Sequence, residues 1–429
     1  MSIARNGPVP KTGTYTGGVG DVVMQVRTGL LAAGSLAILA IGPKGGLPEH
    51  ALAAPHVAGV FSQSGGSKER TWNVRKHGVK GDGVTDDHRA IQALVERAPP
   101  GQVLHFPAGT YRIGSVLTLR RSGLTLRGEG SATVIDHRDH GALEIGPGKL
   151  TNVVIQKLRF RGMPGKYIAD GNTSKCIMVI DPQQVMIEGC EFIGSGFAYF
   201  STATDAFERS GVRWPVTIKS CKVRGWGASA VFLRGGETVR DCSLVQDDPS
   251  RKGRTSQHGL YIANACDVTV TNTTIENARA HAFQIYGQKA DFATDRVVLR
   301  RVVAKNCFQG GVIAPAGPSR GVTLEDCQIT GTWDPDSPAL VITKGERIRL
   351  RRNTLDGGPE GIRLFGDVRD LLAEDNVIRN CKVGIRVETA YPGKFSDVIF
   401  KGSRITDCGV STDLAGASGI TVVRRGSRP

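Results

Sequence analysis

The chain has 429 residues and carries 55 Lys and Arg against 40 Asp and Glu, a net charge of +15. That balance favours an acidic partner: an acidic polysaccharide, a nucleic acid or an anionic surface. The basic residues are scattered in pairs rather than gathered in a run, and no nucleic-acid motif accompanies them, which argues against nucleic acid. Glycine is abundant at 56 residues, aromatics make up 6%, and helical periodicity is scarce, as suits one domain of many short strands and turns.

The first 54 residues read as an export leader. Leu30–Gly42 is an apolar run of 13 residues, too short to span a bilayer comfortably. Arg27 precedes it, and Ala51-Leu52-Ala53 offers small residues for cleavage. A start at Met24 gives this run a short basic leader. Removal between Ala53 and Ser67 leaves an exported protein with no stable membrane insertion; an uncleaved anchor is the alternative. Residues 55–72, rich in Ser and Gly, read as a linker, and 73–429 as the folded domain.

From Asn73 to Gly130 the pattern changes. Gly81-Asp82-Gly83 makes a tight turn, and Thr85, Asp86 and Asp87 supply oxygens to cap a helix over about Asp87 to Arg97. Ile91, Leu94 and Val95 share one face of it, and Pro99-Pro100-Gly101 ends it. Short strands follow at Val103–Phe106, Val116–Leu119 and Leu124–Leu126.

Beyond Leu124 a ten-residue pattern recurs. Copies begin at Val153, Val185, Val216, Glu237, Val268, Val297, Val322, Ile348, Leu371 and Val398, spaced 21 to 32 residues apart. In a parallel β-helix, equivalent residues of successive turns lie about 4.8 Å apart. The sixth column would then stack Leu158, Cys190, Cys221, Cys242, Thr273, Val302, Cys327, Asn353, Asn376 and Ser403. Buried polar members of such a column can bond above and below as a ladder. Periodic placement reads the cysteines as small core residues and free thiols, without a disulfide framework or a C-x-x-C metal motif.

Gly81–Asp87, Phe106–Tyr111 and Leu126–Gly130 follow "GDG-x-TDD…FP-x-G-x-Y…L-x-G-x-G". This resembles the opening of the pectate-lyase-like right-handed parallel β-helix family. The resemblance implies an all-β, right-handed parallel β-helix solenoid with a short N-terminal capping helix. That family includes lyases, hydrolases, epimerases and phage tail-spike proteins, so fold does not fix activity. Asp82, Asp86 and Asp87 read as turn and cap residues.

A second strand precedes each copy of the repeat, and alternation places Leu260, Ile262, Phe283, Ile285, Ile362, Leu364, Ile385 and Val387 inside. Phe232, Arg234, Tyr261, Gln284, Tyr286, Arg363, Phe365, Arg386 and Glu388 then face outward. His258 and His281, 23 residues apart, precede the same strand on adjacent turns. With Tyr261 and Tyr286 they make the candidate catalytic edge. Arg234, Arg254, Gln284, Lys289, Arg363 and Arg386 are candidate substrate-binding residues. Imidazole, phenol and guanidinium together can neutralise a uronate carboxylate, take its C5 proton and protonate the leaving oxygen. Binding and β-elimination of an acidic polysaccharide is the expected activity; hydrolysis or a non-catalytic glycan-binding surface are the alternatives.

Hydrolysis needs facing carboxylates. Asp205 and Glu208, in the insertion Ser201–Trp214, are the candidates, while the Asn-Thr-Asp and Arg-x-Lys parts of the polygalacturonase pattern are missing. No cofactor is evident, and no acidic cluster marks a calcium site.

Overall fold

A computed structural model describes residues 70–138, 140–163, 174–181, 183–202, 215–247, 257–287, 294–313, 319–388 and 393–423, apart from the side chain of Tyr286. The leader, and the linker as far as residue 69, lie outside the described residues. Among the described residues no helix is long and apolar enough to cross a membrane.

The recurring unit is a turn of three strands, and its corners explain the repeat. Lys157, Ser220, Asp241, Asn272, Arg301, Asp326, Arg352 and Asp375, all in the fifth column, adopt left-handed backbone with φ between 48° and 57°. The tenth column does the same at Asn277, Asn306, Asn380 and Asp407. Asn and Asp tolerate this conformation because their short side chains bond locally, which is why they recur at these positions. The residue ahead of eight of the ten copies, such as Asn152, Asp267 or Asp370, supplies a third left-handed corner.

Successive turns pair in parallel. Lys219 lies opposite Arg240 and Lys222 opposite Ser243, so Cys221 stacks on Cys242 as the spacing predicts. The same register carries the sixth column through the solenoid, where Leu158, Thr273, Val302, Cys327, Asn353 and Asn376 are all buried. Asn353 Oδ1 accepts the Cys327 N–H at 2.9 Å, and Asn376 Oδ1 accepts the Asn353 N–H at 2.9 Å. Their amide groups donate to Leu324 O and Leu350 O, each at 2.9 Å. All nine cysteines are free thiols.

Helix α1 (His88–Arg97) buries Ile91, Leu94 and Val95, worth roughly 1.5–3 kcal/mol each. It covers the open edge of the strand Leu117–Leu119. Gln92 does this through its amide, accepting the Thr118 N–H at 2.9 Å and donating to Thr118 O at 3.1 Å. The edge strand therefore has its backbone groups satisfied where no earlier strand pairs with it. The capping oxygens are distributed differently from expectation. Asp86 accepts the His88 N–H at 3.0 Å, whereas Asp87 turns back to Lys80 N and Gly81 N at 2.6 and 2.8 Å. Asp82 accepts from Val84 N, Thr85 N and the Thr85 hydroxyl, and these bonds lower its pKa to about 2. A Cβ on Gly81 would come within 2.7 Å of the Tyr111 ring, which ties the glycine of one motif to the tyrosine of the next.

Two further findings refine the expected elements. Arg70–Asn73 pairs with Gln102–His105, so strand pairing is already present three residues before Asn73. Gly109–Arg112 and Thr133–Asp136 are also strands, hidden in sequence by glycine and turn residues.

Candidate functional site

One sheet of the solenoid presents two parallel columns of side chains. The first runs Met178, Phe200, Phe232, Tyr261, Gln284, Val312, Val341, Arg363 and Arg386, one residue per turn. The second, at the strand starts, runs Ser229, His258, His281 and Gln309. Between those starts and the core lies a column of small residues: Ala230, Gly259, Ala282, Gly310, Ala339, Gly361 and Gly384. A Cβ on Gly259 would approach Ile275 to 2.4 Å. Small residues are therefore required where this corner packs on the neighbouring strand.

The two histidines stack, with ring centroids 5.0 Å apart and planes 11° from parallel. His258 is 4% exposed. His281 Nδ1 lies 3.2 Å from His258 Nδ1 and 3.0 Å from Gln284 Oε1. The His281 backbone N–H also points at His258 Nδ1, at 3.4 Å. Burial disfavours a charge here, and it lowers the His281 pKa to about 4. His258 is held well below its ordinary value by burial and by the neighbouring His281. Both rings are neutral at pH 7, so they suit proton acceptance better than donation.

Aromatic rings continue from the pair. Tyr261 stands 5.1 Å from the His258 ring and stacks on Phe232 at 4.9 Å, and Phe232 stacks on Phe200 at 4.7 Å. Two cations flank this row. The Arg234 guanidinium carbon is 5.1 Å from the Phe232 centroid, and Lys175 Nζ is 5.1 Å from that of Phe200. The Arg234 corner is fixed by buried Glu237, whose carboxylate accepts the Arg234 and Gly235 N–H groups at 3.1 and 2.6 Å. Burial raises the Glu237 pKa.

His258, Tyr261, His281, Gln284 and Arg234 thus lie together. Gln284 is engaged by His281, and Tyr286 sits opposite Ala263 in the strand register. Arg363 and Arg386 belong elsewhere. They are turns away along the outward column, and both pair with buried Glu360, at 2.6 and 3.2 Å. Glu360 thus bridges the two arginines, a pairing that their place in the column does not reveal. Arg254, Lys289, Asp205 and Glu208 lie outside the described residues. Among the described residues no group of three His, Cys, Asp or Glu side chains is arranged to hold a metal ion.

Reasoning from sequence missed Gln309, Ser337 and Asp334. Gln309 lies beside His281 on the next turn, paired with it in the strand register. Its Nε2 donates to Ser337 Oγ, and that hydroxyl donates to Asp334 Oδ2. Aligning strand starts one turn further would have found Gln309 under His281. Phe200, one turn before the outward Phe232, was likewise findable by register.

A family model described as "Right handed beta helix region" matches residues 258–427, and one described as "Rhamnogalacturonase A/epimerase, pectate lyase-like" matches 71–146. Together with the fold, these two matches support the pectate-lyase-like right-handed parallel β-helix superfamily. A probable glucan endo-1,3-beta-glucosidase of Arthroderma benhamiae is 38% identical over 56 residues. That stretch is 13% of this chain and 6% of the relative, so the match spans a small part of it. The A-module of the mannuronan C-5 epimerase AlgE6 of Azotobacter vinelandii superposes with a TM-score of 0.62 at 17% identity, covering 83% of this chain and 100% of that one. The catalytic unit of a GH87 alpha-1,3-glucanase of Streptomyces thermodiastaticus gives 0.64 at 17% identity, covering 84% and 70%. At such identities the likeness is one of fold.

Proposed function

We propose that this β-helix is an exported carbohydrate-active protein that binds an acidic polysaccharide along the histidine-bearing face and cleaves it by β-elimination. The stacked His258–His281 pair at the end of the Phe200–Phe232–Tyr261 row is the observation that carries this reading. Sugar rings stack on aromatic faces, and the net charge of +15 favours a polymer carrying carboxylates. Proteins of this fold that act on mannuronan and alpha-1,3-glucan support a glycan as the partner. The apolar run Leu30–Gly42 and the small residues after it support export.

In this scheme Arg234 faces the uronate carboxylate and withdraws charge from the ring, which acidifies the C5 hydrogen. A neutral imidazole of the pair takes that proton. The electrons form the C4–C5 double bond as the C4–O bond breaks, and the Tyr261 phenol protonates the departing oxygen. No step is assigned to a metal or cofactor.

Incubation with a panel of uronate polymers, following ultraviolet absorbance of unsaturated ends alongside reducing sugar, tests the reading. Unsaturated ends are expected, and His258→Ala and His281→Ala should each lower their rate by about 10²–10⁴-fold. Reducing ends without unsaturation would make the protein a hydrolase. Binding without either would make the face a glycan-holding surface, a role that the engagement of both Nδ1 atoms within the protein also fits.

A further inference from the structure

Two side chains, Gln309 and Ser337, lead from His281 to the carboxylate of Asp334, and their donor order is fixed by chemistry. Asp334 as a carboxylate only accepts, so the Ser337 hydroxyl spends its hydrogen on it. Ser337 Oγ can then only accept at its other contact, and it takes an N–H from Gln309. With its amide nitrogen turned to Ser337, Gln309 keeps its oxygen for His281, which lies opposite it in the strand register. The Nδ1 of that ring meets two acceptors, Gln284 Oε1 at 3.0 Å and the His258 nitrogen that already takes the His281 N–H. A neutral His281 has one N–H and leaves one of these acceptors unmatched. An imidazolium has two and satisfies both sides.

His258 has no such arrangement. Its Nδ1 faces His281, and its neighbours along the face are Tyr261 and Ser229, with no carboxylate bonded to it among the described residues. We propose that the stacked pair takes up a single proton, that the proton resides on His281, and that Asp334 is a positioning residue which directs it there through Ser337 and Gln309. Burial works against the charge, and the orienting chain is what makes His281 rather than His258 the member that accepts it. The catalytic meaning of this inference rests on the functional reading above, but its test needs no substrate, so the two can fail separately.

The test is a pH titration of the full chain labelled with ¹⁵N-histidine, with the two rings assigned by His258→Gln and His281→Gln. Both nitrogens of His281 should move to imidazolium shifts on acidification while His258 stays neutral. Asp334→Asn and Ser337→Ala should each lower the His281 midpoint by about one pH unit, because an unanchored Gln309 no longer holds its oxygen on the ring. Ser337→Thr retains the hydroxyl and should keep the wild-type midpoint, which separates the relay from general damage to the loop. Titration of His258 before His281 would overturn the proposal. So would an unchanged midpoint in Ser337→Ala, because the carboxylate would then act through space rather than through the chain.

Discussion

At the scale of single residues, the histidine pair links chemistry to stability. The native site holds His281 at a pKa of about 4, against 6.5 for an unperturbed histidine. Between those values the unfolded chain binds a proton that the native site refuses. Stability therefore rises with pH across this window and is lost as pH falls from 6.5 toward 4. The shift is worth up to about 3 kcal/mol. His281→Gln keeps a polar side chain but cannot titrate, so the variant's unfolding free energy should fall less steeply than that of wild type over the same range. Urea unfolding at several pH values checks this; equal slopes would mean that other groups carry the acid sensitivity.

At the scale of the strand, the site depends on a backbone corner as much as on its side chains. The residue after each strand-start position must be small, and a Cβ on Gly310 would fall 1.9 Å from Ala339 O and 2.7 Å from Ile329 Cγ2. Gly310→Ala must therefore move the strand that carries Gln309. We expect a loss of about 1–3 kcal/mol by overpacking, read as a lower melting temperature. Ala282 occupies the same column and accommodates its Cβ, so Ala282→Gly should cost no more than about 1 kcal/mol. Comparable losses in the two variants would contradict the close approach. This corner was legible in HGLYI, QGGVI, EGIRL and VGIRV, and the left-handed bends were legible as recurring Asn, Asp and Gly. Register alone was enough to pair His258 with His281, because their column depends only on counting residues per turn. What column membership does not reveal is which neighbour a side chain chooses. Arg363 and Arg386 sit in the outward column as expected, yet Glu360, three residues before Arg363, engages both. Asp334 was harder still, because it lies on a loop between strands, where the period that organises the chain is interrupted.

At the scale of the whole molecule, each turn packs only on the turns beside it, so stability is close to a sum of neighbour terms. Disulfides are not part of that sum. Seven thiols are buried and two, Cys266 and Cys408, are half-buried. Alkylation of the native protein should label Cys266 and Cys408 first, and all nine only after unfolding, as mass spectrometry would report. The asparagine ladder is the sharper probe of how turns are joined. Asn353→Ala removes the acceptor of the Cys327 N–H and the donor to Leu324 O, both in a dry interior. Each unmatched group costs about 1–3 kcal/mol, so a total near 3 kcal/mol is expected, against less than about 0.5 kcal/mol for Thr354→Ala on the outward side of the same turn. The damage should also be local. Hydrogen exchange should quicken in Gln328–Thr330 and Val377–Arg379, which flank the substituted turn, and stay unchanged around helix α1. Faster exchange spread evenly from α1 to Val423 would instead show that the solenoid opens as one cooperative unit, and the neighbour-by-neighbour account of its stability would have to be given up.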